Sequence, residues 1–361
     1  MRQYLDLLKR VLGEGDPQYN DRTGQLMLVK AGDQSIYDLR DGFPQSTTKP
    51  SVPVRWVAEE LFWMLRGERN AKTLYDTGVD IWNRNAFQHY LKNNSLETDI
   101  RKNTPKWNEE FARYQDRMKN ESDWDMKDSD LGPIYGFQWR HWPKGGQEID
   151  QVKDKVIESI KKDKGSRYHI LTAWNVADIA DMSLAACHSF AQFTVTRDAD
   201  LDVNMFQRSC DVFLGVPFNI SQYSLLNHLV AMETGLNPRK FIHSYGNVHI
   251  YAGVSPRSDF LKDDKMLRVL QLLVKKAEKP EDYLNIKQWY LDQVPAESSG
   301  NERKDHIPFV LEQLSKTPQP LPTFHIEKIP FFELIKRPAK EVVRLEGYNP
   351  LKWDSKAVMA A

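Results

Sequence analysis

Two polar stretches, each bounded by apolar runs, constrain this chain more than any other feature of its sequence. They read Leu184-Ala-Ala-Cys187-His188-Ser-Phe190 and Met205-Phe-Gln207-Arg208-Ser209-Cys210-Asp211, the second continuing as Val-Phe-Leu-Gly215-Val-Pro-Phe218-Asn219. The residues after Cys187 alternate between apolar and polar side chains, which is typical of a strand with one buried face. A thiol at the start of such a strand can face a pocket. The second stretch adds a guanidinium, a hydroxyl, a carboxylate and a carboxamide.

Cys187 is the candidate nucleophile. The thiolate is the reactive form of cysteine, and a nearby guanidinium lowers the pKa of a thiol. Arg208 would therefore activate Cys187 if the two strands bring these side chains together. Taken alone, a single cysteine is more often a small buried apolar residue, and only the surrounding motifs favour a catalytic thiol.

Those motifs, taken in order along the chain, resemble the thymidylate synthase family. They are Asn20-Asp-Arg22-Thr-Gly24, Asp41-Gly-Phe-Pro44, Thr47-Thr-Lys49, Glu60-Leu-Phe-Trp63-Met-Leu-Arg-Gly67, Ile81-Trp82, Leu131-Gly-Pro-Ile-Tyr135-Gly-Phe-Gln138-Trp139-Arg140, Ala173-Trp174-Asn175, Cys187-His188, Gln207-Arg208-Ser209, Leu214-Gly215-Val-Pro-Phe218-Asn219-Ile220 and His249-Ile-Tyr251. The resemblance implies reductive methylation of dUMP by 5,10-methylenetetrahydrofolate, with Cys187 attacking C6 of the uracil. It implies no metal, because the folate iminium is the electrophile and the reduced folate donates the hydride.

The fold implied by the resemblance is α/β (α+β), a single domain over residues 1–361. It has a large mixed β-sheet flanked by helices and forms a homodimer by sheet packing. Two charged stretches, about 89–129 and about 255–316, are interpreted as insertions, and the second includes a predicted mobile loop from Val294 to Arg303. We expect no chemistry in either stretch.

Composition narrows the class of protein. The 361 residues include 50 basic and 50 acidic side chains, and this balance argues against bulk nucleic-acid binding. The apolar stretches are too short to span a bilayer, so we expect a soluble, cytoplasmic protein. With 2 cysteines there is no disulfide framework, and the 9 histidines lack the spacing of metal ligands.

Two residues are predicted to move protons. Glu60 lies on an apolar stripe of a helical pattern from Val54 to Leu65, and burial raises a carboxyl pKa towards neutrality. The alternative is a glutamate at the helix margin, paired with Arg55 or Arg66. Tyr135 would bind the water that removes the C5 proton, or would lie in the core with its hydroxyl bound to backbone.

The remaining predicted site residues bind the nucleotide. The carboxamide of Asn219 can accept from N3–H of uracil and donate to O4, whereas cytosine reverses this pattern. The alternative for Asn219 is a helix N-cap. The resemblance assigns Arg22, Arg167, Arg208 and Ser209 to the phosphate and His249 and Tyr251 to the sugar. Gln207 and Asn219 complete the substrate-binding set. His188 is assigned to the catalytic residues. Arg22 alone could equally be a surface residue paired with Asp21.

The resemblance assigns a second group of residues to the folate. These are Ile81, Trp82, Leu184, Asp211, Gly215, Phe218 and, at the C-terminus, Ala361. Trp82 would provide an apolar wall for the pterin and would shield the exocyclic methylene from water. A tryptophan after a loop is, however, more often a core residue.

Three positions depart from the family pattern. Tyr168 replaces one of two arginines that reach the phosphate of the partner subunit, which leaves only Arg167, and Asn83 and Asn247 each replace an aspartate. These departures keep open a pyrimidine nucleotide hydroxymethylase, in which water captures the methylene before the hydride arrives. A catalytically silent relative that binds a nucleotide or a protein is the third possibility.

Overall fold

Helices and strands occur in groups along the chain. The computed structural model describes residues 1–50, 53–102, 104–296, 300–353 and 357–358. The helices are α1 Arg2–Glu14, α2 Val54–Leu65, α3 Ala71–Tyr75, α4 Asn83–Asn93, α5 Pro105–Asn120, α6 Tyr135–Arg140, α7 Glu158–Lys162, α8 Gly215–Thr234, α9 Asp264–Lys276, α10 Pro280–Gln293, α11 Ile307–Leu314, α12 Phe331–Leu334 and α13 Ala339–Val342. The strands are β1 Asp16–Asn20, β2 Gln25–Asp38, β3 Trp142–Lys144, β4 Gln147–Ile149, β5 Ile170–Thr172, β6 His188–Val195, β7 Asp200–Asp211, β8 Asn237–Tyr251, β9 Thr323–Ile326 and β10 Val343–Glu346.

The main sheet has six strands within the described ranges, in the order β1-β2-β8-β7-β6-β5. β7 and β8 run parallel, and every other neighbouring pair in this sheet is antiparallel. Helix α8 packs on β7 and β8, and α1 packs on β2 and β8. The predicted fold class, a mixed sheet flanked by helices, is confirmed.

Helix α8 crosses the centre of this core. Most of its side chains are buried, as its largely apolar sequence predicts. It ends at Gly235, whose φ of 67° is left-handed and whose backbone N–H caps the carbonyl of Met232. The helix begins at Gly215, so Asn219 lies inside it. The alternative that placed Asn219 at the N-cap is therefore wrong. Asp211 caps the turn before the helix, where it accepts from the backbone N–H groups of Phe213 and Leu214.

The local sequence patterns predict a loop from Asp16 to Gly24, an amphipathic helix from Ile149 to Lys162 and a strand from Ser166 to Asn175, and the structure differs from each. The segment from Asp16 to Gly24 is not a loop throughout, because Asp16–Asn20 forms the edge strand β1, whose exposed polar side chains hide the strand pattern. The predicted strand from Ser166 to Asn175 is reduced to Ile170–Thr172. The predicted helix from Ile149 to Lys162 begins as a π-helical segment, Gln151–Ile157, before α7.

The stretch 89–129 builds a small aromatic core of its own. Trp107 and Tyr114 of α5 are buried against Phe87 of α4, with ring centroids 5.2 Å and 5.0 Å apart. The guanidinium of Arg84 lies 4.5 Å from the ring centroid of Trp107. The charged sequence predicts solvated helices here, and this holds for only one face of α5, because the opposite face is buried. Its status as an insertion stays a prediction.

The stretch 255–316 is anchored by a buried ion pair at its base. Arg257 Nε donates to Asp305 Oδ2 at 2.7 Å, and Tyr290 of α10 donates to the same oxygen at 3.0 Å. Asp305 also pairs with Ala252, just beyond the end of β8. These contacts fix helices α9 to α11 to the sheet. The predicted mobile loop falls partly on residues 297–299, which lie outside the described residues.

No helix in the described ranges has both the length and the apolar character that crossing a membrane requires.

Candidate active site

The pairing of β6 with β7 brings the two polar stretches together. His188 is in register with Gln207, and the backbone N–H of Arg208 donates to the carbonyl of Cys187 at 2.8 Å. On the other side of β7, Gly246 of β8 faces Arg208. A Cβ at this glycine would lie 3.0 Å from the carbonyl oxygen of Arg208, so a side chain there would crowd the strand.

Cys187 lies half-buried at this meeting point. Its backbone N–H donates to the hydroxyl of Tyr135 at 2.7 Å, and Tyr135 is itself 2% exposed. The hydroxyl is thus bound to backbone, as the core alternative proposed, but the backbone belongs to the candidate nucleophile. Burial raises the pKa of the Cys187 thiol, and the charges of Arg208 and Arg22 lower it by less. The predicted activation by Arg208 has the right direction but does not outweigh burial.

Arg208 is held in place by the segment that precedes Cys187. Its Nε donates to the carbonyl of Ala186 at 2.9 Å and its Nη2 to that of Ala185 at 2.6 Å. The guanidinium also lies 5.2 Å from the ring centroid of Trp174. Because an arginine has five N–H donors, this arrangement orients the fork while leaving donors for an anion.

Glu60 projects from α2 into the core and is 5% exposed. Its Oε1 accepts from Trp82 Nε1 at 2.7 Å, and its Oε2 accepts from Gln222 Nε2 at 2.6 Å. Burial raises the pKa of Glu60 to about 7, against these two hydrogen bonds, which lower it. The alternative of a marginal glutamate paired with Arg55 or Arg66 is wrong, since both carboxylate oxygens bind neutral donors.

His188 links the nucleophile to α8. Its ring stacks on Tyr135 with centroids 4.1 Å apart, and its Nδ1 lies 2.8 Å from the hydroxyl of Tyr223. Burial lowers the pKa of His188 to about 3, so the imidazole is neutral at pH 7. Its geometry suits holding Tyr135 in place better than exchanging protons.

A chain of three side chains fixes the amide of Asn219. His243 Nε2 lies 2.8 Å from Gln207 Oε1, and Gln207 Nε2 donates to Asn219 Oδ1 at 3.1 Å. His243 is fully buried, and burial lowers its pKa well below the usual value, so the ring is neutral. Since an amide oxygen only accepts, the proton of the imidazole sits on Nε2. Asn219 therefore presents Oδ1 as an acceptor and Nδ2 as a donor.

The candidate sugar and phosphate residues lie on the neighbouring strands. His249 and Tyr251 are both buried on β8, with ring centroids 5.0 Å apart, and His249 is in register with Asp211. Ser209 pairs in the same way with Asn247, whose Oδ1 lies 2.9 Å from Nδ1 of His249. Arg22 is exposed in the turn between β1 and β2, and its charge lowers the pKa of Tyr251, which burial raises to about 12.

Arg167 is the predicted phosphate ligand that this chain does not bring to the site. It is exposed in the segment before β5, where its carbonyl accepts from Gln192 Nε2 at 3.0 Å. Tyr168 next to it is 76% exposed. Neither has a described contact with Cys187 or Arg208.

The candidate folate residues form a less uniform set. Trp82 is 7% exposed, and its ring meets Tyr135 edge-on at 6.1 Å, so it is largely a core residue with its N–H committed to Glu60. Asp211 uses Oδ1 to cap the turn before α8, while its Oδ2 has no hydrogen bond in the described ranges. The other members, Ile81, Leu184, Gly215 and Phe218, are partly buried, and Ala361 lies outside the described residues.

Three buried polar residues at the site are not predicted from the sequence. Gln222 and Tyr223 follow Ser221 in α8, and a polar pair inside an otherwise apolar helix is the signal that could have identified them. Lys49 is the last residue of the motif Thr47-Thr-Lys49. Its Nζ donates to the carbonyl of Phe213 at 2.8 Å, and burial lowers its pKa to about 7.

The raised pKa of Glu60 predicts a pH-dependent stability. The folded-state value of about 7 exceeds the ordinary value of 4.5, so the folded protein binds this proton more tightly. The contribution to the free energy of unfolding is complete below pH 4.5 and is lost as the pH rises to about 7, by roughly 3 kcal/mol. Urea denaturation should show Glu60→Gln gaining stability relative to the unaltered protein between pH 5 and pH 8. Glu109→Gln, at an exposed site on α5, should show no such gain; equal curves for the two variants would contradict the prediction.

Comparison with known proteins identifies the family of this chain. The family model described as Thymidylate synthase matches residues 2–361. The chain is similar to the thymidylate synthase of Mesoplasma florum, with 42% identity over 251 residues, covering 70% of this chain and 81% of that protein. It is also similar to the thymidylate synthases of Listeria monocytogenes serovar 1/2a and Listeria innocua, each with 42% identity over 263 residues, covering 70% of this chain and 82% of the relative.

Proposed function

The chain belongs to the thymidylate synthase family, and on that premise we propose that it converts dUMP to dTMP by reductive methylation. It is a one-carbon transferase whose co-substrate is 5,10-methylenetetrahydrofolate. The observation that carries the proposal is the backbone hydrogen bond that joins Arg208 to Cys187, so that the charge of Arg208 acts on the thiol. Tyr135 is bound to the backbone of Cys187, and Glu60 is reached through Trp82. A nucleophile, a cation and a carboxyl with a pKa of about 7 are what this reaction needs.

Cys187 is proposed to attack C6 of the uracil, which makes C5 nucleophilic. Asn219 would read the base through N3–H and O4, and the contact from Gln207 Nε2 to Oδ1 holds its amide in one orientation. Glu60 and Tyr135 would serve in proton transfer. Arg22, Arg208 and Ser209 of the same chain would bind the phosphate, together with Arg167 of a second copy.

The folate residues fit a ring that carries N–H donors. The Oδ2 of Asp211 is an acceptor with no partner in the described ranges, and Gly215 leaves space beside it. The folate supplies the one-carbon unit and the hydride when bound. Trp82, Leu184 and Phe218 would cover it and exclude water, which favours methylation over capture of the methylene by water.

A hydroxymethylase is the second candidate, and Asn83 supports it. This residue directly follows Trp82 and is 1% exposed, yet neither its Oδ1 nor its Nδ2 has a hydrogen-bond partner in the described ranges. A buried amide without partners is a place where water binds. A water held next to Trp82 would weaken the barrier that keeps the methylene dry.

One assay separates the possible activities. The protein is mixed with dUMP and methylenetetrahydrofolate, the nucleotide product is weighed by mass spectrometry, and dihydrofolate is followed by its near-ultraviolet absorbance. A methylated product with rising absorbance supports the proposal. A hydroxymethylated product without that rise supports the second candidate, and no turnover by the folded protein would leave a silent nucleotide-binding relative.

We also propose that two copies assemble through the outer face of the main sheet. Ile36, Phe190 and Phe206 are 45%, 38% and 43% exposed on this face, and Phe190 is paired with Phe206 across β6 and β7. An exposed apolar group of this kind is typical of a protein interface. The assembly would bring Arg167 of one copy to the phosphate site of the other.

A charge placed on this face should separate the copies. Phe206→Asp is expected to yield a monomer in sedimentation velocity and to raise the KM for dUMP, since Arg167 of the second copy would be withdrawn. Leu272→Asp is the matched control, because Leu272 is 53% exposed on α9, away from the sheet. A Phe206→Asp protein that remains dimeric would exclude this face as the interface.

A further inference from the structure

Gln222 is a buried amide of α8 that contacts an ionisable group of another helix. It is fully buried, and its Nε2 donates to Glu60 Oε2 at 2.6 Å. Its own Oε1 has no hydrogen-bond partner in the described part of the chain. The second oxygen of Glu60, Oε1, accepts from the indole N–H of Trp82 at 2.7 Å. Each oxygen of the carboxyl therefore has a different partner.

The two partners differ in what they can do when Glu60 takes up a proton. An indole N–H only donates, so the oxygen that faces Trp82 has to remain an acceptor in both protonation states. A carboxamide can both donate and accept. When Glu60 is ionised, Nε2 of Gln222 donates to Oε2; when Glu60 is protonated, rotation of the amide lets Oε1 of Gln222 accept the new O–H.

We propose that Gln222 is a positioning residue for Glu60, and that it makes Oε2 the oxygen that carries the exchangeable proton. The inference rests on the proposed function, because it concerns the proton that Glu60 would exchange during turnover. It goes further in naming the residue and the oxygen. Gln222 would satisfy Glu60 in both protonation states, so neither form of the Glu60 carboxyl is left with an unpaired oxygen or proton.

The energetics of the site agree with this role. Burial would strongly favour the neutral carboxyl, whereas the N–H groups of Trp82 and Gln222 stabilise the carboxylate and hold the pKa at about 7. The remaining described neighbour of the Gln222 amide is the sulfur of Met64, at 4.0 Å, which is a poor substitute acceptor. Removal of the Gln222 amide should therefore change the pKa of Glu60 more than it changes any other described contact.

Another buried amide of α8 provides a matched control. Asn227 is fully buried, but its Nδ2 donates to the backbone carbonyls of Leu201 and Lys240. Both Gln222→Met and Asn227→Leu replace a buried amide of one helix by an apolar side chain. Only the first removes a hydrogen bond to a carboxylate.

The test is an infrared titration of the protein without substrates, which does not depend on turnover. The carbonyl stretch of protonated Glu60 is identified by its loss in Glu60→Gln and is followed against pH in each variant. Gln222→Met should raise the midpoint by about one pH unit or more, because the hydrogen bond lost from the charged form is stronger than the one lost from the neutral form. Asn227→Leu should leave the midpoint unchanged. Should Gln222→Met fail to fold, Gln222→Asn, which shortens the reach by one methylene, should give a smaller shift in the same direction.

The pH dependence of kcat then tests whether the shift in the infrared midpoint affects the reaction. The limb of the pH profile of kcat that disappears in Glu60→Gln should move upward in Gln222→Met, in step with the infrared midpoint. An unchanged or lowered infrared midpoint overturns the role of Gln222. Absence of dTMP formation by the unaltered protein overturns the proposed function instead, so the two failures are distinguishable.

Discussion

Replacing Cys187 with serine is expected to lower kcat for dTMP formation by about 10⁴-fold or more, while dUMP binding persists. The hydroxyl of serine is a poor nucleophile unless a general base removes its proton. Among the described residues, the imidazole next to Cys187 is that of His188, whose Nδ1 faces Tyr223 and whose pKa burial lowers to about 3, so it is too weak a base for this task. Arg208 can stabilise a thiolate, but it cannot take up a proton.

The measurement is single-turnover kinetics with the nucleotide followed by mass spectrometry, alongside dUMP affinity by calorimetry. Cys210→Ser is the matched control. Cys210 is fully buried on β7, and its Sγ donates to the carbonyl of Gln207, a contact that a serine hydroxyl can also make. We expect this control to retain activity within a few-fold. If Cys187→Ser turned over at a comparable rate, covalent attack by this residue would be excluded.

Local patterns were sufficient where the chemistry of a residue follows from its own helix or strand. The apolar stripe of α2 predicted that Glu60 is buried, and α2 has the predicted bounds. The alternating residues after Cys187 predicted β6, and the family resemblance predicted the mixed sheet. These features depend on periodicity and motif order, which a single sequence displays directly.

The net pKa of a group on which burial and charge act in opposite directions was not predictable from the sequence. The sequence suggested that Arg208 lowers the pKa of Cys187, but it does not reveal that burial acts more strongly in the opposite direction. It placed Glu60 near Arg55 and Arg66 as an alternative, whereas the partners are Trp82 and Gln222. Gln222 lies 162 positions from Glu60, and only the packing of α2 on α8 joins them.

Asn219 leads to the second prediction of large effect, because its amide is oriented before any nucleotide binds. The neutral ring of His243 donates to Gln207, and Gln207 donates to Oδ1 of Asn219. Nδ2 is thereby left as the donor and Oδ1 as the acceptor. Uracil offers an acceptor at O4 and a donor at N3, while cytosine offers the reverse, so an Asn219 amide held in this orientation is expected to favour uracil.

Asn219→Asp should therefore lower the selectivity for dUMP over dCMP, measured as the ratio of the kcat/KM values, by about 10⁴-fold. The carboxyl removes the donor to O4 and adds an acceptor for the amino group of cytosine. In the unaltered protein dCMP leaves a buried polar group unpaired, whereas in the variant dUMP does so. Asn237→Asp, at an exposed position at the start of β8, makes the same chemical change away from the site and should keep the original ratio. Should the Asn219→Asp protein retain its preference for dUMP, the base would have to be read by another residue, and Gln207, which already touches Asn219, would be the first to examine.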